Sequence, residues 1–406
     1  MTRPGGFLGL RKQQHLRDQH TNIIIMITPP RDDDPWSVVN VVGQSPPVDC
    51  SKPYDPSALA GRTILITGGA SGLGAAFARH WAGHGAHIVI GDINDRLGEE
   101  LVAELRSSPS AAPGQVIAYQ HCDVTSWTDQ VALFQTAVSL SPTGSLDAVV
   151  AGAGIAESAN LLDPSPPPTL FDAPPATIDA STPPPPLRVL AVNLTGVMYT
   201  AHLALHHLPR KKHDGRRDNG DRDGDRHLLL IASIAGLLPL PGQTEYTASK
   251  HAVVGMFRAL RGTAWATRGV RVNALAPYFV DTPILPGSGV ALLGGAGQTD
   301  PADVVDAASR LGPTGTWGGR ALCAGEKNEG GLGGAGVRVV EGLGEQPGER
   351  RQAVWEMYGH DYARVETFVW RYLAVLNLMR QVRGWVGFVG DLLEVWFRRR
   401  ARERRK

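Results

Sequence analysis

The sequence TILITGGASGLGAAFARHWAGHGAHIVIGDIN, residues 63–94, contains the pattern from which the fold is predicted. An apolar β-branched run is followed by a glycine-rich turn, a segment of helical character and a second apolar run that ends at Asp92. Glycines let backbone approach a pyrophosphate, whose charge suits the N-terminal end of a helix. Asp92 is placed to accept hydrogen bonds from a ribose diol and would repel a 2′-phosphate. The stretch therefore predicts a dinucleotide site that prefers NAD.

Similar apolar runs recur along the chain, namely QVIAY, LDAVVAG, HLLLIAS and VRVNALA, and stretches of helical character separate them. Such alternation is typical of an α/β fold, here a Rossmann-type doubly wound parallel sheet with helices on both faces. The continuous hydrophobicity of the runs indicates that both faces of each strand are covered. A C-terminal helical extension is expected as well, because five apolar side chains recur there at helical spacing: Trp385, Phe388, Val389, Leu392 and Trp396.

Composition divides the chain into four predicted segments. Residues 1–60 form an irregular, proline-containing N-terminal extension, and residues 61–325 form the NAD-binding domain. Two inserts interrupt that domain: residues 163–186 contain 10 prolines, and residues 209–226 carry seven basic and five acidic side chains with almost nothing apolar. Residues 326–350 read as a glycine-rich linker, and residues 351–406 as a helical extension with a basic tail.

Charge and cysteine content exclude several classes of protein. The chain has 40 basic and 39 acidic residues, so no global field favours nucleic acid, and none is expected as a partner. The three cysteines are too few and too far apart for a disulfide framework or a cysteine metal site, and no metal is expected. The early apolar run IIIMI is shorter than a signal-peptide core. These features predict a cytoplasmic protein.

A candidate reaction site lies in SIAGLLPLPGQTEYTASK, residues 233–250. Tyr246 and Lys250 are four residues apart, so in a helix their side chains leave the same face about one turn apart. A phenol has a pKa of about 10, and it becomes a useful base near neutral pH when a nearby positive charge favours its anion. Ordinary structural roles are the alternative, with Ser233 as a cap and Lys250 as a solvated side chain.

Together these residues resemble the classical short-chain dehydrogenases/reductases over roughly residues 61–320. The T-G-x-x-x-G-x-G turn of that family matches residues 67–74, and its Y-x-x-x-K motif matches Tyr246 and Lys250. Two departures occur: the N-N-A-G motif of the family is AGAG at residues 151–154, and the usual glycine after Pro277 is Tyr278. The resemblance implies cofactor contacts from Gly68, Ser71, Gly72, Leu73, Gly74, Asp92, Asp123, Val124, Gly154, Tyr246, Lys250, Pro277, Val280 and Thr282.

The resemblance also implies catalytic roles for Asn193, Ser233, Tyr246 and Lys250. Tyr246 would exchange a proton with the substrate oxygen, Ser233 would hydrogen-bond that oxygen, and Lys250 would lower the pKa of Tyr246 and hold the nicotinamide ribose. Asn193 would hold a water that relays the proton. Ser233, Gln243 and Tyr246 are the expected substrate contacts, and Gln243 adds a likeness to fungal secondary-alcohol and 15-hydroxyprostaglandin-type dehydrogenases.

The predicted function is hydride transfer between NAD and a small lipophilic secondary alcohol or ketone, by a homo-oligomer. Two alternatives stay open at this stage. One is a catalytically silent nucleotide-binding scaffold. The other is a membrane-surface protein, peripheral to an intracellular membrane, that uses the apolar stripe of residues 385–396 and the basic end RRRARERRK.

Overall fold

The computed structural model describes residues 48–50, 53–156, 179–182, 184, 186–209, 225–238, 240, 243–284, 299–312, 320–328 and 352–357. Contacts divide the chain into two compact units. One unit comprises residues 45–264 and 268–359 and contains the sheet. The other comprises residues 1–44, 265–267 and 360–406, of which three helix residues are described.

The elements alternate between strand and helix along the chain, as the apolar runs predict. A short 3₁₀ turn, Pro56–Leu59, precedes the first strand. The strands are β1 (Thr63–Thr67), β2 (His87–Asp92), β3 (Ile117–His121), β4 (Ala148–Ala151), β5 (His227–Ile231), β6 (Arg271–Pro277), β7 (Ala321–Asn328) and β8 (Gln352–Met357). The helices are α1 (Gly72–Gly83), α2 (Asp95–Arg106), α3 (Trp127–Leu140), α4 (Arg188–His207), α5 (Thr244–Arg268) and α6 (Pro301–Leu311).

The eight described strands form one sheet in the order β3-β2-β1-β4-β5-β6-β7-β8. The first seven pair in parallel, and β8 pairs antiparallel with β7. The order reverses at β1, so β2 and β4 lie on either side of it and the chain winds outward in both directions. This arrangement confirms the predicted doubly wound α/β fold.

Side chains that alternate along each strand build two cores, one on each face of the sheet. Ile64 and Ile66 of β1 point into a core shared with α1, α2 and α6. Leu65 points into the opposite core, which contains side chains of α3, α4 and α5. Burying each such side chain contributes about 1.5–3 kcal/mol, so the unbroken apolar runs stabilise both layers at once.

Thr67 stabilises the centre of the sheet, where this chain lacks the asparagine of the N-N-A-G motif. Its hydroxyl donates a 3.3 Å hydrogen bond to the carbonyl of Val150 on β4. The same oxygen accepts a 3.3 Å hydrogen bond from the backbone N–H of Gly152. The Thr67 side chain therefore joins β1 to the end of β4, where the AGAG sequence has no side-chain amide to do so.

The C-terminal part of the sheet differs from the sequence prediction. Residues 326–350 were expected to be a linker and residues 351–406 to be helical, but β7 runs to Asn328 and residues 352–357 form a strand. Val354 is buried and is the register partner of Ala324. The segment QAVWEM includes Val and Trp, residues that suit a pleated surface, and pairing satisfies the edge of β7.

Several predicted features lie outside the described residues. They include nearly all of the inserts at 163–186 and 209–226, and the apolar stripe at 385–396. Within the described part of the chain, one helix, Arg188–His207, has the length and apolar composition of a membrane span. Core helices pass the same test, and Val197, Ala201 and Ala204 of this helix pack into the core on the α3–α5 side of the sheet.

Candidate active site

The predicted site residues gather where the parallel strands end, beside the point at which the strand order reverses. The glycine-rich turn follows β1, Gly154 lies beyond β4, Ser233 lies beyond β5, and the Pro277 segment ends β6. Parallel strands end at the same edge, so residues far apart in sequence share one crevice. In open α/β sheets that crevice is where dinucleotides bind.

Glycine is required at two positions of the turn because backbone passes too close for any side chain. A Cβ on Gly68 would lie 2.5 Å from the Cα of Ala153, and the residue has a φ of +69°. A Cβ on Gly74 would lie 2.2 Å from the carbonyl oxygen of Gly68. The first contact joins the turn to the end of β4, and the second packs α1 tightly under the turn. The pattern of the sequence thus reflects packing as well as space for a phosphate.

The start of α1 has the features of a pyrophosphate cradle. Ser71 is its N-cap residue in extended conformation, and its side chain makes no capping hydrogen bond. Gly72 has a φ of +52°, and a Cβ added there would lie 3.6 Å from the Cβ of Thr282. Leu73 packs against the core below. The first-turn N–H groups and the helix dipole suit an anionic pyrophosphate here, so the residues fit the pyrophosphate of NAD(P).

Asp92 ends β2 beside this turn and is held by backbone amides. One carboxylate oxygen accepts a 3.0 Å hydrogen bond from the N–H of Ala70, and the other accepts a 3.0 Å bond from the N–H of Asn94. These bonds fix the carboxylate next to the glycine-rich turn. The carboxylate therefore lies beside the turn, and its contact with the ribose of a bound nucleotide remains a prediction.

Tyr119 was not identified from the sequence, yet it supports Asp92. Its hydroxyl lies 2.8 Å from the backbone oxygen of Asp92 and 2.6 Å from Oδ1 of Asp95, which also lies 2.7 Å from Nδ1 of His121. Burial and the contact with Asp95 raise the pKa of Tyr119, and the bond to Asp95 raises the pKa of His121. These residues come from β3 and α2, so neither local spacing nor a short motif connects them.

Asp123 and Val124 lie after β3, on the side of the crevice expected to hold the adenine. The side-chain oxygen of Asp123 accepts 2.8 Å hydrogen bonds from the N–H and the hydroxyl of Thr125. Val124 is buried against α4, since a Cβ added to Gly196 would lie 2.8 Å from its Cγ2. Both residues are held in place, while contact with adenine remains a prediction.

Tyr246, Ser233 and Lys250 come together at the N-terminal part of α5. The ammonium Nζ of Lys250 lies 5.5 Å from the ring centroid of Tyr246, as spacing along a helix predicts. Burial raises the pKa of Tyr246, and a hydrogen bond with Ser233 lowers that pKa by a smaller amount. The pKa of Tyr246 is therefore raised overall, while its hydrogen bond with Ser233 favours the phenolate. The effect of Lys250 on this pKa remains a prediction.

Lys250 is buried, and its pKa is lower than that of a solvated lysine. Its Nζ donates a 3.0 Å hydrogen bond to the carbonyl of Ile231 at the end of β5. Burial lowers the pKa of Lys250 from 10.5 to about 8. The solvated side chain considered as an alternative is wrong, because this lysine is 4% exposed. Ser233 does act as a cap, accepting a 3.2 Å bond from the N–H of Ala235, in addition to contacting Tyr246.

Asn193 is fully buried and braces the loop after β4. Its amide Nδ2 donates to the carbonyl of Ile155 and its Oδ1 accepts from the N–H of the same residue, both at 2.8 Å. Nδ2 also lies 3.2 Å from the Ser249 hydroxyl. A π-helical turn, Ala191–Gly196, presents this side chain within α4. A Cβ on Gly154 would lie 3.4 Å from Oδ1 of Asn193 and 3.6 Å from Nζ of Lys250, so the three residues adjoin.

The remaining predicted contacts lie on two segments. Val280 forms a parallel bridge with Thr299, and Thr282 faces Gly72 across the crevice. Pro277 is the last residue of β6. The carbonyl of Gln243 accepts a 2.9 Å bond from the N–H of Thr247 at the start of α5. Contact of Gln243 with substrate remains a prediction. Among the residues that the structure describes, no cluster of three or more His, Cys, Asp or Glu side chains could hold a metal.

Comparison with known proteins identifies the same region of the chain. The model of the short chain dehydrogenase family matches residues 62–289. A 5'-hydroxyaverantin dehydrogenase of Dothistroma septosporum is 40% identical over 233 residues, which cover 57% of this chain and 71% of that protein. An NADP-dependent dehydrogenase of Cochliobolus lunatus is 35% identical over 230 residues, 56% of this chain and 73% of that one.

A solved structure shares the fold over most of its own length. The 3-ketoacyl-(acyl-carrier-protein) reductase from Brucella melitensis, crystallised with NADH, aligns with a TM-score of 0.50 and 25% sequence identity. The alignment covers 65% of this chain and 97% of that protein. The matched region of the present chain thus corresponds to a nearly complete reductase.

Proposed function

Because the chain belongs to the short chain dehydrogenase family, we propose that it is an NAD-dependent oxidoreductase that interconverts a lipophilic secondary alcohol and its ketone. Membership makes it an NAD(P)-dependent oxidoreductase, and the preference for NAD and the choice of substrate are the parts proposed. The observation that carries the proposal is the grouping of Ser233, Tyr246 and Lys250 at the end of β5, next to the glycine-rich turn.

The reaction assigned to this site is proton transfer at the substrate oxygen. NAD, when bound, accepts the hydride from an alcohol or, as NADH, returns it to a ketone. Tyr246 takes the hydroxyl proton in oxidation and donates it in reduction. Ser233 hydrogen-bonds the same oxygen and stabilises the charge that develops there. The hydrogen bond between Ser233 and Tyr246 supports this assignment, because two hydroxyls this close together could both reach one substrate oxygen.

Lys250 supplies positive charge beneath Tyr246 while it is protonated. Its pKa of about 8 places the loss of that charge close to physiological pH. Asn193 holds the backbone of Ile155, next to Lys250, and thereby keeps the floor of the site in position. The water relay assigned to Asn193 remains part of the proposal.

Preference for NAD rests on the charge beside the ribose position. The Asp92 carboxylate is fixed there, and the neighbouring side chain of Ile93 is apolar and 64% exposed. Neither Ile93 nor Ser71 supplies a positive charge for a 2′-phosphate. Relatives differ in their named cofactor, since the Cochliobolus protein is NADP-dependent and the Brucella reductase was crystallised with NADH. Electrostatic repulsion at Asp92 favours NAD in this chain.

The substrate class, the compartment and the oligomeric state are also part of the proposal. The dehydrogenase from Dothistroma is named for a hydroxylated compound, and Ile155, whose backbone is held by Asn193, has an exposed apolar side chain. Cys50, Cys122 and Cys323 form no disulfide in the described part of the chain, which fits the cytoplasm. We propose a homo-oligomer, as the sequence predicts. The alternative of membrane contact depends on residues 385–396, which lie outside the described residues.

The test is a spectrophotometric assay of the full chain with NAD and a panel of secondary alcohols, and with NADH and the matching ketones. We expect NADH to be formed or consumed with at least one pair, and the same reactions to be slower with NADP(H). A protein that binds NADH in a fluorescence titration but turns over no substrate would instead be the catalytically silent scaffold.

A further inference from the structure

We propose that Tyr278 is a specificity-determining residue, and that its ring packs against the ring system of an aromatic secondary alcohol or ketone. This inference rests on the proposed function. Tyr278 directly follows Pro277, where the family pattern has a glycine. A large aromatic side chain in place of a hydrogen atom changes the shape of any site at the end of β6.

The hydrogen-bond ladder fixes the side of the sheet on which Tyr278 lies. The N–H of Ala274 donates to Arg320, and the N–H of Tyr278 donates to Ala324 at 2.7 Å, so the ladder of β6 continues to this residue. Side chains two residues apart on a strand share a face. Ala274 and Ala276 belong to the core formed with α4 and α5. Tyr278 therefore extends the α5 face of the sheet, the face on which α5 carries Tyr246.

Strand register places Tyr278 beside the reacting groups. Ile231 of β5 is the partner of Leu275 of β6, and the N–H of Ala232 donates a 2.7 Å bond to the carbonyl of Leu275. Ser233 lies two residues beyond Ile231, and Pro277 lies two residues beyond Leu275. Tyr278 is thus the next residue past the level of Ser233, at the edge of the crevice where a substrate oxygen would be bound.

The surroundings of Tyr278 favour an aromatic ligand. Its ring is half-buried and meets the ring of Phe279 edge to face, with centroids 4.8 Å apart at an angle of 80°. The contact holds the tyrosine ring without covering it. Its hydroxyl has no hydrogen-bond partner among the residues that the structure describes. With Ile155, 39% exposed beyond β4, it offers apolar surface, to which aromatic rings add favourable edge or stacked contacts.

The experiment compares two ketones with the full-length enzyme and NADH: the bicyclic aromatic ketone α-tetralone and the acyclic 2-octanone. The variants are Tyr278→Gly, which restores the family residue, and Tyr278→Phe, which keeps the ring and removes the hydroxyl. We expect Tyr278→Gly to lower kcat/KM for α-tetralone by about tenfold, mainly by raising KM. The kcat/KM for 2-octanone should change by less than about threefold. Tyr278→Phe should retain the preference for α-tetralone over 2-octanone. Both variants should bind NADH with the Kd of the unmodified protein.

Several outcomes would overturn the assignment. Equal losses for both ketones, or a weaker Kd for NADH, would make Tyr278 a structural residue or a cofactor contact. A gain with both ketones in Tyr278→Gly would mean that the tyrosine obstructs the site. In each case the unmodified enzyme still reduces a ketone, so the proposed function stands. If no ketone is turned over, the proposed function fails, and calorimetric binding of α-tetralone to the NAD-loaded protein and to Tyr278→Gly decides the assignment. Weaker binding by Tyr278→Gly upholds it, and equal binding, tighter binding or no binding refutes it.

Discussion

The ammonium of Lys250 donates a 3.0 Å hydrogen bond to the carbonyl oxygen of Ile231, which joins the first turns of α5 to the end of β5. This bond anchors the lysine under the ring of Tyr246 and places both residues beside Ser233. The four-residue spacing of Tyr246 and Lys250 only puts the two side chains on one face of α5. The hydrogen bond to β5 is what holds that face over the crevice.

Replacing Tyr246 by phenylalanine is expected to lower turnover by about 100-fold or more, since the phenol that exchanges the proton is removed. Binding of NADH should be unchanged, because the glycine-rich turn is untouched. Steady-state kinetics and a fluorescence titration measure the two effects separately. Tyr199→Phe is the matched control: Tyr199 packs edge to face on Trp127 and is not one of the predicted catalytic residues, so the change should leave kcat unaffected. Turnover within about tenfold of the parent would assign the proton to another residue.

Replacing Lys250 by methionine is expected to stabilise the protein at neutral pH while it lowers activity. The pKa of Lys250 is depressed to about 8, so between 10.5 and 8 the unfolded chain binds a proton that the folded chain does not. Burial of Lys250 therefore costs no folding free energy above pH 10.5, where the side chain is neutral in both states. The cost grows as the pH falls from 10.5 to about 8. At about 1.4 kcal/mol per pKa unit, the buried lysine lowers the free energy of unfolding at neutral pH by about 3 kcal/mol. Lys250→Met recovers this amount less the contribution of the hydrogen bond to Ile231, which the variant lacks.

Chemical denaturation of the parent and of Lys250→Met from pH 7 to 10.5 measures this cost. The difference in unfolding free energy should favour the variant at pH 7 and shrink as pH rises. A difference that stays constant across this range would show that the lysine has the same pKa in the folded and unfolded chains.

Replacing Gly74 by alanine is expected to weaken NADH binding by about tenfold or more and to cost about 1–3 kcal/mol of stability. The added methyl would lie 2.2 Å from the backbone oxygen of Gly68, so α1 or the turn must move. Gly255→Ala is the matched control, because its Cβ would meet nothing within 4 Å on α5. That change should raise stability by about 0.5–1 kcal/mol without affecting NADH binding. Similar behaviour of the two variants would contradict the close packing of the turn.

Replacing Asp92 by alanine is expected to reduce the preference for NAD over NADP by about tenfold or more. The change removes the negative charge that we propose binds a ribose diol and repels a 2′-phosphate. Asp92→Asn keeps an acceptor for the N–H of Ala70 and removes the charge, so it separates loss of the turn from loss of repulsion. Titrations with NADH and NADPH provide the measurement. Tighter binding of NADPH than NADH by the unmodified protein would refute the assignment of NAD.

Local patterns in the sequence were sufficient to predict the sheet, its covering helices and the positions of Gly68, Asp92, Tyr246 and Lys250. Each of these features depends on near neighbours in the chain: apolar runs make strands that are buried on both faces, and a separation of four residues aligns side chains on a helix. The family resemblance added Asn193 and Ser233, which local spacing does not relate to Tyr246.

Tertiary structure decided what depends on contacts between distant segments. Tyr119 supports Asp92 from β3, Asn193 braces Ile155 from α4, and β8 pairs with β7 where a helix had been expected. Burial, which depends on every packed neighbour, lowers the pKa of Lys250 and raises that of Tyr246. Short-range periodicity predicts whether a segment is a helix or a strand, but it does not predict which elements pack together. These hydrogen bonds and pKa shifts depend on that packing.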